Sequence, residues 1–235
     1  MAPITFAHRG GRADAPENRL ATFRRALDLG ASGLEADARL SGDGQVVLVH
    51  DATVRRGLRR ARVAALPAAQ LAELGVPRLT DLYAELGSDY ELSLDLKASD
   101  VVGPVLEVAR AHGALGRLWL CSGEVELLGR IRQADHEHEV RLVHSMRRGV
   151  GGDALERHAA ALAREGIAAL NLHETQWTMG VVALVHRFGL LAFAWDAQET
   201  RRIRALLSMG IDAVYSDYVE RMVATVGEWT MTDTE

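Results

Sequence analysis

The hydrophobic positions of the chain form short continuous runs that alternate with longer stretches of helical periodicity. Residues 190–195 are almost entirely apolar, which is typical of a strand buried on both faces of a parallel sheet. In residues 218–226, apolar residues recur at the i, i+3, i+4 and i+7 spacing of an amphipathic helix. The predicted strands are 4–8, 33–40, 91–97, 117–122, 141–145, 168–173, 190–196 and 213–217. The predicted helices are 17–29, 71–87, 101–112, 124–134, 153–165, 178–188, 199–209 and 218–226.

An eightfold alternation of strand and helix in 235 residues predicts one α/β domain, a (β/α)8 TIM barrel. A doubly wound open sheet is the alternative, because alternation by itself does not prove closure. One segment departs from the rhythm after the second strand. A tight turn at 41–44 leads into a short β run at 45–50, and an arginine-rich stretch follows at 55–62. We expect this excursion to protrude from the barrel and to shape a substrate mouth.

Composition excludes several classes of protein. The hydrophobic fraction of 48% is too high for a disordered chain, and no apolar run reaches the length of roughly 18 residues that crosses a bilayer. The formal net charge of −5 argues against a nucleic-acid partner. Cys121 is the only cysteine, so no internal disulfide forms, and we expect it to be buried and inert. The first residues lack a signal-peptide pattern, so the sequence taken as complete predicts a cytoplasmic protein.

Ionisable residues gather at the predicted ends of the barrel strands. Because the carboxyl ends of parallel barrel strands form the catalytic face, these residues are candidates for chemistry. Lys97 is the only lysine among 27 basic residues, which suggests that an ammonium group is needed there. The polar strand-end residues are His8, Arg9, Glu35, Asp37, His50, Asp51, Asp95, Lys97, Asp196 and Asp217.

Three of these carboxylates form a candidate metal site. Glu35 and Asp37 lie two residues apart on one strand, so both point to the same face, while Ala36 between them faces the helix layer. Together with Asp95 they would supply only oxygen ligands, which favours Mg²⁺ or Ca²⁺ over zinc. The alternative is a structural salt bridge.

Two histidines and a tryptophan complete the candidate site. His8 beside Arg9 and His50 beside Asp51 both end β runs, and this placement favours proton transfer over a structural role. Trp195 either plugs the end of the barrel or contacts substrate, and the sequence leaves both open.

Other polar residues carry weaker signals. Asp217 directly precedes a helix, so we expect it to cap that helix. His144 and His173 end strands and are candidates for lining the mouth. Residues 136–138 (HEH) precede a strand and are interpreted as a solvated loop. The glycine-rich 149–152 lacks the Lys-Ser/Thr ending of a phosphate-binding loop.

Seven short segments, taken in order, resemble the glycerophosphodiester phosphodiesterase family. Each one alone is a weak motif, but the ordered set is highly specific and spans residues 4 to about 223. The segments are AHRG at 7–10, PEN at 16–18, GLEAD at 33–37, VHD at 49–51, DLK at 95–97, Trp195 and SDY at 216–218.

The resemblance implies a TIM barrel that hydrolyses glycerophosphodiesters to glycerol 3-phosphate and an alcohol with the help of a divalent cation. It also implies a small-molecule substrate, with no nucleic acid and no stable membrane insertion, and it is compatible with a homo-oligomer. The matching positions are Glu35, Asp37 and Asp95 for the metal, His8 and His50 for the acid–base pair, and Arg9 and Lys97 near the phosphate.

The sequence departs from the family pattern at several positions. Asp95 stands where glutamate is more usual, and Arg19 stands where threonine is usual. Trp195 is followed by Asp-Ala-Gln instead of Thr-Val-Asn, and the excursion at 52–78 is shorter and richer in arginine. These differences leave two alternatives open, a lysophospholipase D-like hydrolase and a catalytically silent barrel that binds glycerol phosphates.

Overall fold

Eight parallel strands close into a ring in the computed structural model, which describes residues 2–57, 59–135, 139–147 and 151–232. The first strand pairs in parallel with both the last strand and the second, which confirms the predicted TIM barrel and excludes the open sheet. The ring consists of β1, β2 and β6 to β11. The strands are β1 Ile4–Ala7, β2 Gly33–Leu40, β3 Val46–Leu48, β4 Thr53–Arg56, β5 Arg59–Arg62, β6 Glu91–Leu96, β7 Leu118–Ser122, β8 Arg141–Met146, β9 Ala169–His173, β10 Leu191–Trp195 and β11 Ala213–Ser216.

The helices pack around the outside of this ring. Among the described residues, no helix combines the length and the apolar character that crossing a membrane would require. The helices are α1 Leu20–Asp28, α2 Ala68–Glu73, α3 Leu79–Leu86, α4 Val102–Ala111, α5 Val125–Ala134, α6 Asp153–Arg164, α7 Met179–Arg187, α8 Thr200–Ser208 and α9 Val219–Thr232.

The single helix predicted at 71–87 is wrong, because two helices, α2 and α3, occupy this region. Gly75 between them has a φ of +79°, which ends the first helix. Pro77 follows shortly after and disfavours helical geometry at the residue that precedes it. The apolar periodicity continues across this break, so the pattern alone did not reveal it.

The predicted excursion after the second strand lies outside the ring. Its strand β3 pairs antiparallel with the end of β2, and β4 and β5 form a separate two-stranded hairpin. A small apolar cluster that includes Val47, Val63 and Leu71 holds the excursion together. The excursion, which lies outside the ring, is thereby anchored beside the carboxyl end of β2.

Aromatic rings fill the interior of the barrel. The ring centroids of Phe6 and Tyr215 are 4.6 Å apart, and those of Trp119 and Phe193 are 5.0 Å apart. All four residues belong to one buried cluster inside the ring. These rings close the lower part of the barrel, and the cavity above them opens at the carboxyl ends of the strands.

His144 faces the helix layer, so the prediction that it lines the mouth is wrong. Its neighbours on β8 have the opposite orientation, since Val143 joins the interior cluster and Ser145 lines the cavity. The His144 ring packs edge-on against His158 of α6 with centroids 5.0 Å apart. Burial and, to a smaller extent, the neighbouring His158 lower the pKa of His144 from 6.5 to about 4.

This depressed pKa predicts a loss of stability on mild acidification. Between pH 6.5 and pH 4 the unfolded chain takes up a proton that folded His144 does not, so the free energy of unfolding falls as the pH falls. From pH 7 to pH 5 we expect the free energy of unfolding to fall by about 2 kcal/mol because of His144. Urea denaturation of the wild type and of His144→Leu at both pH values measures this change in the free energy of unfolding. Equal pH dependence in the two proteins would contradict this assignment.

Candidate active site

A cavity of about 340 Å³ opens at the carboxyl ends of the barrel strands. Seven of the eight site residues that the sequence singles out line this cavity. The eighth, Asp37, lies behind the wall with 1% of its surface exposed. The seven lining residues are His8, Arg9, Glu35, His50, Asp95, Lys97 and Trp195.

The chain makes a sharp left-handed turn directly after β1. Arg9, Gly10 and Gly11 have φ angles of +51°, +81° and +92°. This turn aims the backbone N–H of Arg9 at Glu35, whose Oε2 accepts the hydrogen bond at 2.9 Å. A Cβ on Gly11 would lie 2.5 Å from Cγ2 of Val219, so the position requires glycine for space as well as for φ.

Asp37 is the centre of a buried network of charges. Its Oδ1 lies 2.8 Å from Lys97 Nζ, and its Oδ2 lies 3.2 Å from Arg9 Nε. Asn18 donates a third contact to Oδ2 at 3.0 Å. Burial raises the pKa of Asp37, but Lys97 and Arg9 lower it by more, so the net pKa lies below its ordinary value. Lys97 also lies 2.5 Å from Oδ2 of Asp95, so one ammonium group joins two carboxylates.

Asn18 was part of a motif in the sequence but had no assigned role. Its φ of +53° is unusual for a residue other than glycine. Like Arg9, it takes up this conformation beside the buried carboxylate of Asp37. The signal available in the sequence was the residue type itself, because asparagine tolerates the left-handed region better than most residues.

Glu35 is short of compensating charge. Burial makes the largest contribution and raises the pKa of Glu35, and the carboxylates of Asp37 and Asp95 raise it further. His8 and the N–H of Arg9 oppose this effect, and the resulting pKa is about 7. The cavity wall at Glu35 therefore favours an additional positive charge.

His8 pairs with Asp217, which was not predicted. His8 Nδ1 lies 2.6 Å from Oδ1 of Asp217, and Arg12 Nε donates to the other carboxylate oxygen at 3.0 Å. Burial lowers the pKa of His8, but Glu35 and Asp217 raise it by more, so it lies above 6.5. With Nδ1 held by Asp217, Nε2 is directed towards Glu35, whose Oε2 is 3.7 Å away.

The prediction that Asp217 caps a helix is therefore wrong. Both of its carboxylate oxygens bind side chains, those of His8 and Arg12. The register of barrel closure explains this, because Ala7 of β1 pairs with Ser216 of β11 and the next residues, His8 and Asp217, become neighbours.

His50 enters the cavity from the excursion. Its backbone oxygen accepts two hydrogen bonds from Arg39 of β2, at 3.0 and 2.8 Å, which tie the excursion to the barrel. Its Nδ1 lies 3.0 Å from Oδ1 of Asp51, and Arg60 of the hairpin binds the other oxygen of Asp51. With 38% of its side chain exposed, His50 is more accessible than His8.

Trp195 borders the side of the cavity formed by β9 and β10. It packs against the interior ring cluster and lines the cavity, and its ring meets that of His173 edge-on with centroids 4.6 Å apart. Nε2 of His173 also lies 3.2 Å from Oδ2 of Asp196. Cys121 lines the deeper part of the cavity, and burial raises the pKa of its thiol well above the ordinary value.

The three predicted metal ligands are neighbours, but they are not arranged around a common centre. Within the described part of the chain, no group of three or more His, Cys, Asp or Glu side chains is placed to hold an ion. Asp37 is occupied by its cationic partners, whereas Glu35 and Asp95 face the cavity. The excess of negative charge at Glu35 fits a cation bound there. Residues 136–138 and 149–150 lie outside the described residues.

The comparison with family models decides the family. The model of the glycerophosphoryl diester phosphodiesterase family matches residues 8–221. The chain belongs to this family. The resemblance inferred from the seven segments is thereby confirmed, and as a member of the family the protein is a phosphodiesterase.

Individual relatives agree with this assignment. The glycerophosphodiester phosphodiesterase of Caldanaerobacter subterraneus is 23% identical, over 96% of this chain and 98% of that protein. The glycerophosphodiester phosphodiesterase of Thermotoga maritima, a solved structure, has a TM-score of 0.83 at 23% identity, over 95% of this chain and 98% of that one. An Oleispira antarctica phosphodiesterase, solved in complex with the product sn-glycerol-3-phosphate, has a TM-score of 0.82 at 24% identity, over 96% and 97% of the two chains. The two structures share the barrel fold with this chain.

The turn after β1 makes a prediction about stability. Gly11→Ala adds both the strain of a positive φ and a collision with Val219, so we expect it to cost about 2–4 kcal/mol. Gly44→Ala is the matched control, because Gly44 has a φ of +77° but nothing within 4 Å of the added Cβ. That control should cost only about 1 kcal/mol. Chemical denaturation measures both, and equal losses would show that the close approach to Val219 is unimportant.

Proposed function

We propose that this protein hydrolyses glycerophosphodiesters to glycerol 3-phosphate and an alcohol, with His8 and His50 as its acid–base pair. The observation that supports this most directly is that both histidines line one cavity together with Glu35, Asp95 and Lys97. A barrel that only bound glycerol phosphates would not need two proton-transfer groups. The relative from Oleispira antarctica, solved with sn-glycerol-3-phosphate as its product, supports the same substrate class.

The charges around the cavity suit a phosphodiester. The substrate carries one negative charge that repels an attacking oxygen, and the cationic groups of Arg9 and Lys97 line the cavity. Burial lowers the pKa of Lys97, but Asp95 and Asp37 raise it by more, so the ammonium stays charged. Because Asp37 and Asp95 hold this ammonium group, it is preorganised to offset the charge that develops on the phosphoryl oxygens.

The two histidines divide the proton transfers between them. One removes a proton from the attacking hydroxyl, and the other supplies a proton to the leaving oxygen on the opposite side of phosphorus. Asp217 holds His8 by Nδ1 and leaves Nε2 for the substrate. Asp51 holds His50 by Nδ1 in the same manner. The same pair serves whether the attacking oxygen belongs to the substrate's own glycerol or to water.

A divalent cation of the Mg²⁺ or Ca²⁺ class completes the proposal. Glu35 and Asp95, with Asp37 behind them, are the residues that would hold it. When bound, the cation would neutralise charge on the phosphoryl group. The support is the oxygen-only donor set and the raised pKa of Glu35, which reflects burial next to two other carboxylates.

The acid–base assignment is tested by substitution. His8→Ala and His50→Ala should each lower the release of glycerol 3-phosphate about 100-fold or more from glycerophosphocholine, -ethanolamine, -glycerol and -inositol. The control is His186→Ala, which removes a half-exposed histidine of α7 that binds Asp212. That control should keep the activity of the wild type. Near-normal activity of either of the first two variants, with folding intact by circular dichroism, would refute the role of that histidine.

The cation proposal has its own test. Treatment with a chelator should abolish activity, and Mg²⁺ or Ca²⁺ should restore it. Glu35→Gln should weaken binding of the ion alone, measured by calorimetry, because it removes a negatively charged ligand. Glu91→Gln is the matched control, since Glu91 binds Arg117 and Arg141 at the other end of β6. Full activity after removal of all metal, or unchanged ion affinity in Glu35→Gln, would exclude this site.

A further inference from the structure

Among the described residues, two buried polar atoms in the cavity wall formed by β9 and β10 have no hydrogen-bond partner. Asn171 has only 5% of its surface exposed, and its Oδ1 has no hydrogen-bond partner in the described part of the chain. The indole Nε1 of Trp195 is also buried, and within the same described residues it has no partner either. Both residues line the cavity. A buried polar atom without a hydrogen bond is destabilising, so a ligand that supplied the missing bonds would be favoured here.

The strand register brings the two residues to one side of the barrel. Asn171 lies beside Ser145 of β8, and Trp195 lies two residues beyond Phe193, the partner of Asn171 on β10. The aromatic ring of Phe193 belongs to the interior cluster that closes the barrel. Asn171 thus lies beside the apolar interior cluster and also lines the cavity.

This wall carries fewer charged groups than the opposite one, although Asp196, which follows Trp195, also lines the cavity. Glu35, Asp95 and Lys97 are carried by β2 and the end of β6, where the phosphoryl group would be bound. The unpartnered groups on β9 and β10 are an amide and an indole N–H, which are both uncharged. Such groups satisfy a neutral ligand that can donate and accept hydrogen bonds.

We propose that Asn171 and Trp195 bind a free hydroxyl group of the substrate's glycerol moiety, one that does not attack phosphorus; this rests on the function proposed above. A hydroxyl group donates to Oδ1 of Asn171, and a hydroxyl oxygen accepts from Nε1 of Trp195. Either end of the Asn171 amide matches a hydroxyl group, because a hydroxyl both donates and accepts. Since every glycerophosphodiester carries this glycerol moiety, the subsite recognises the part that the substrates share rather than the variable alcohol.

The binding test compares two phosphate monoesters in one Mg²⁺-containing buffer. Calorimetry measures the affinity of sn-glycerol 3-phosphate, which carries two hydroxyl groups, and of methyl phosphate, which carries none. Asn171→Leu replaces the amide with an apolar side chain of similar size. It should lower the affinity for glycerol 3-phosphate about 10-fold and leave the affinity for methyl phosphate unchanged. Trp195→Phe keeps an aromatic ring but removes the indole N–H, so it should also lower the affinity for glycerol 3-phosphate and not that for methyl phosphate. The proposal therefore stays testable if Asn171→Leu does not fold.

Gln176→Met is the matched control for the loss of an amide. Oε1 of Gln176 is also buried and, among the described residues, unpartnered, but Gln176 does not line the cavity. This variant should bind both ligands as the wild type does. Equal weakening of both ligands by Asn171→Leu and Trp195→Phe, or no preference of the wild type for glycerol 3-phosphate, would overturn the proposal.

Kinetics distinguish recognition of the shared glycerol from recognition of the head group. With glycerophosphocholine, -glycerol and -inositol as substrates, Asn171→Leu should raise KM about equally for all three. A loss confined to one head group would overturn the assignment to the glycerol moiety. If the wild type released no glycerol 3-phosphate at all, the proposed function would fail, but the comparison of the two monoesters would still decide the subsite.

Discussion

A buried carboxylate, that of Asp37, is the constraint on which the candidate site depends. An ionised carboxylate with 1% exposure is strongly destabilising unless cations and hydrogen bonds compensate it. Lys97, Arg9 and Asn18 supply that compensation from three separate segments. The left-handed conformations of Arg9 and Asn18 occur at these contacts, which is consistent with backbone strain held in place by strong local interactions. Removing either Lys97 or Arg9 would leave Asp37 with a single cationic partner inside the barrel.

The buried carboxylates of Asp37 and Glu35 are compensated by cations to different extents, and this difference determines how charge is distributed around the cavity. Asp37 is paired with two cations, whereas Glu35 keeps a raised pKa because it is buried beside two further carboxylates. One wall of the cavity is therefore strongly charged, while the wall at Asn171 and Trp195 carries neutral hydrogen-bonding groups beside a single carboxylate, that of Asp196. A glycerophosphodiester has the same division, with a charged phosphoryl group and neutral hydroxyl groups.

The excursion after β2 shows how a piece of chain outside the barrel contributes to the site. Its strand β3 pairs with the end of β2, and Arg39 of β2 binds the backbone oxygen of His50. These bonds bring a histidine to a cavity whose other residues come from the ring itself. The arginine-rich hairpin that follows is linked to the same histidine through Asp51 and Arg60.

The sequence favoured a closed barrel, and the pairing of β1 with β11 decided that the sheet closes. By itself, the sequence determined the eight strands and seven of the residues that line the mouth. These features depend on local periodicity, and the alternation of side chains along a strand is enough to place Glu35 and Asp37 on one face. Only the tertiary structure decided that Asp217 binds His8, because these residues are 209 positions apart and meet through closure of the ring. It also decided that His144 faces His158, that Asn18 supports Asp37 and that Oδ1 of Asn171 has no hydrogen-bond partner among the described residues. Each of these depends on register and burial across several strands, which no local pattern of hydrophobic and polar residues encodes.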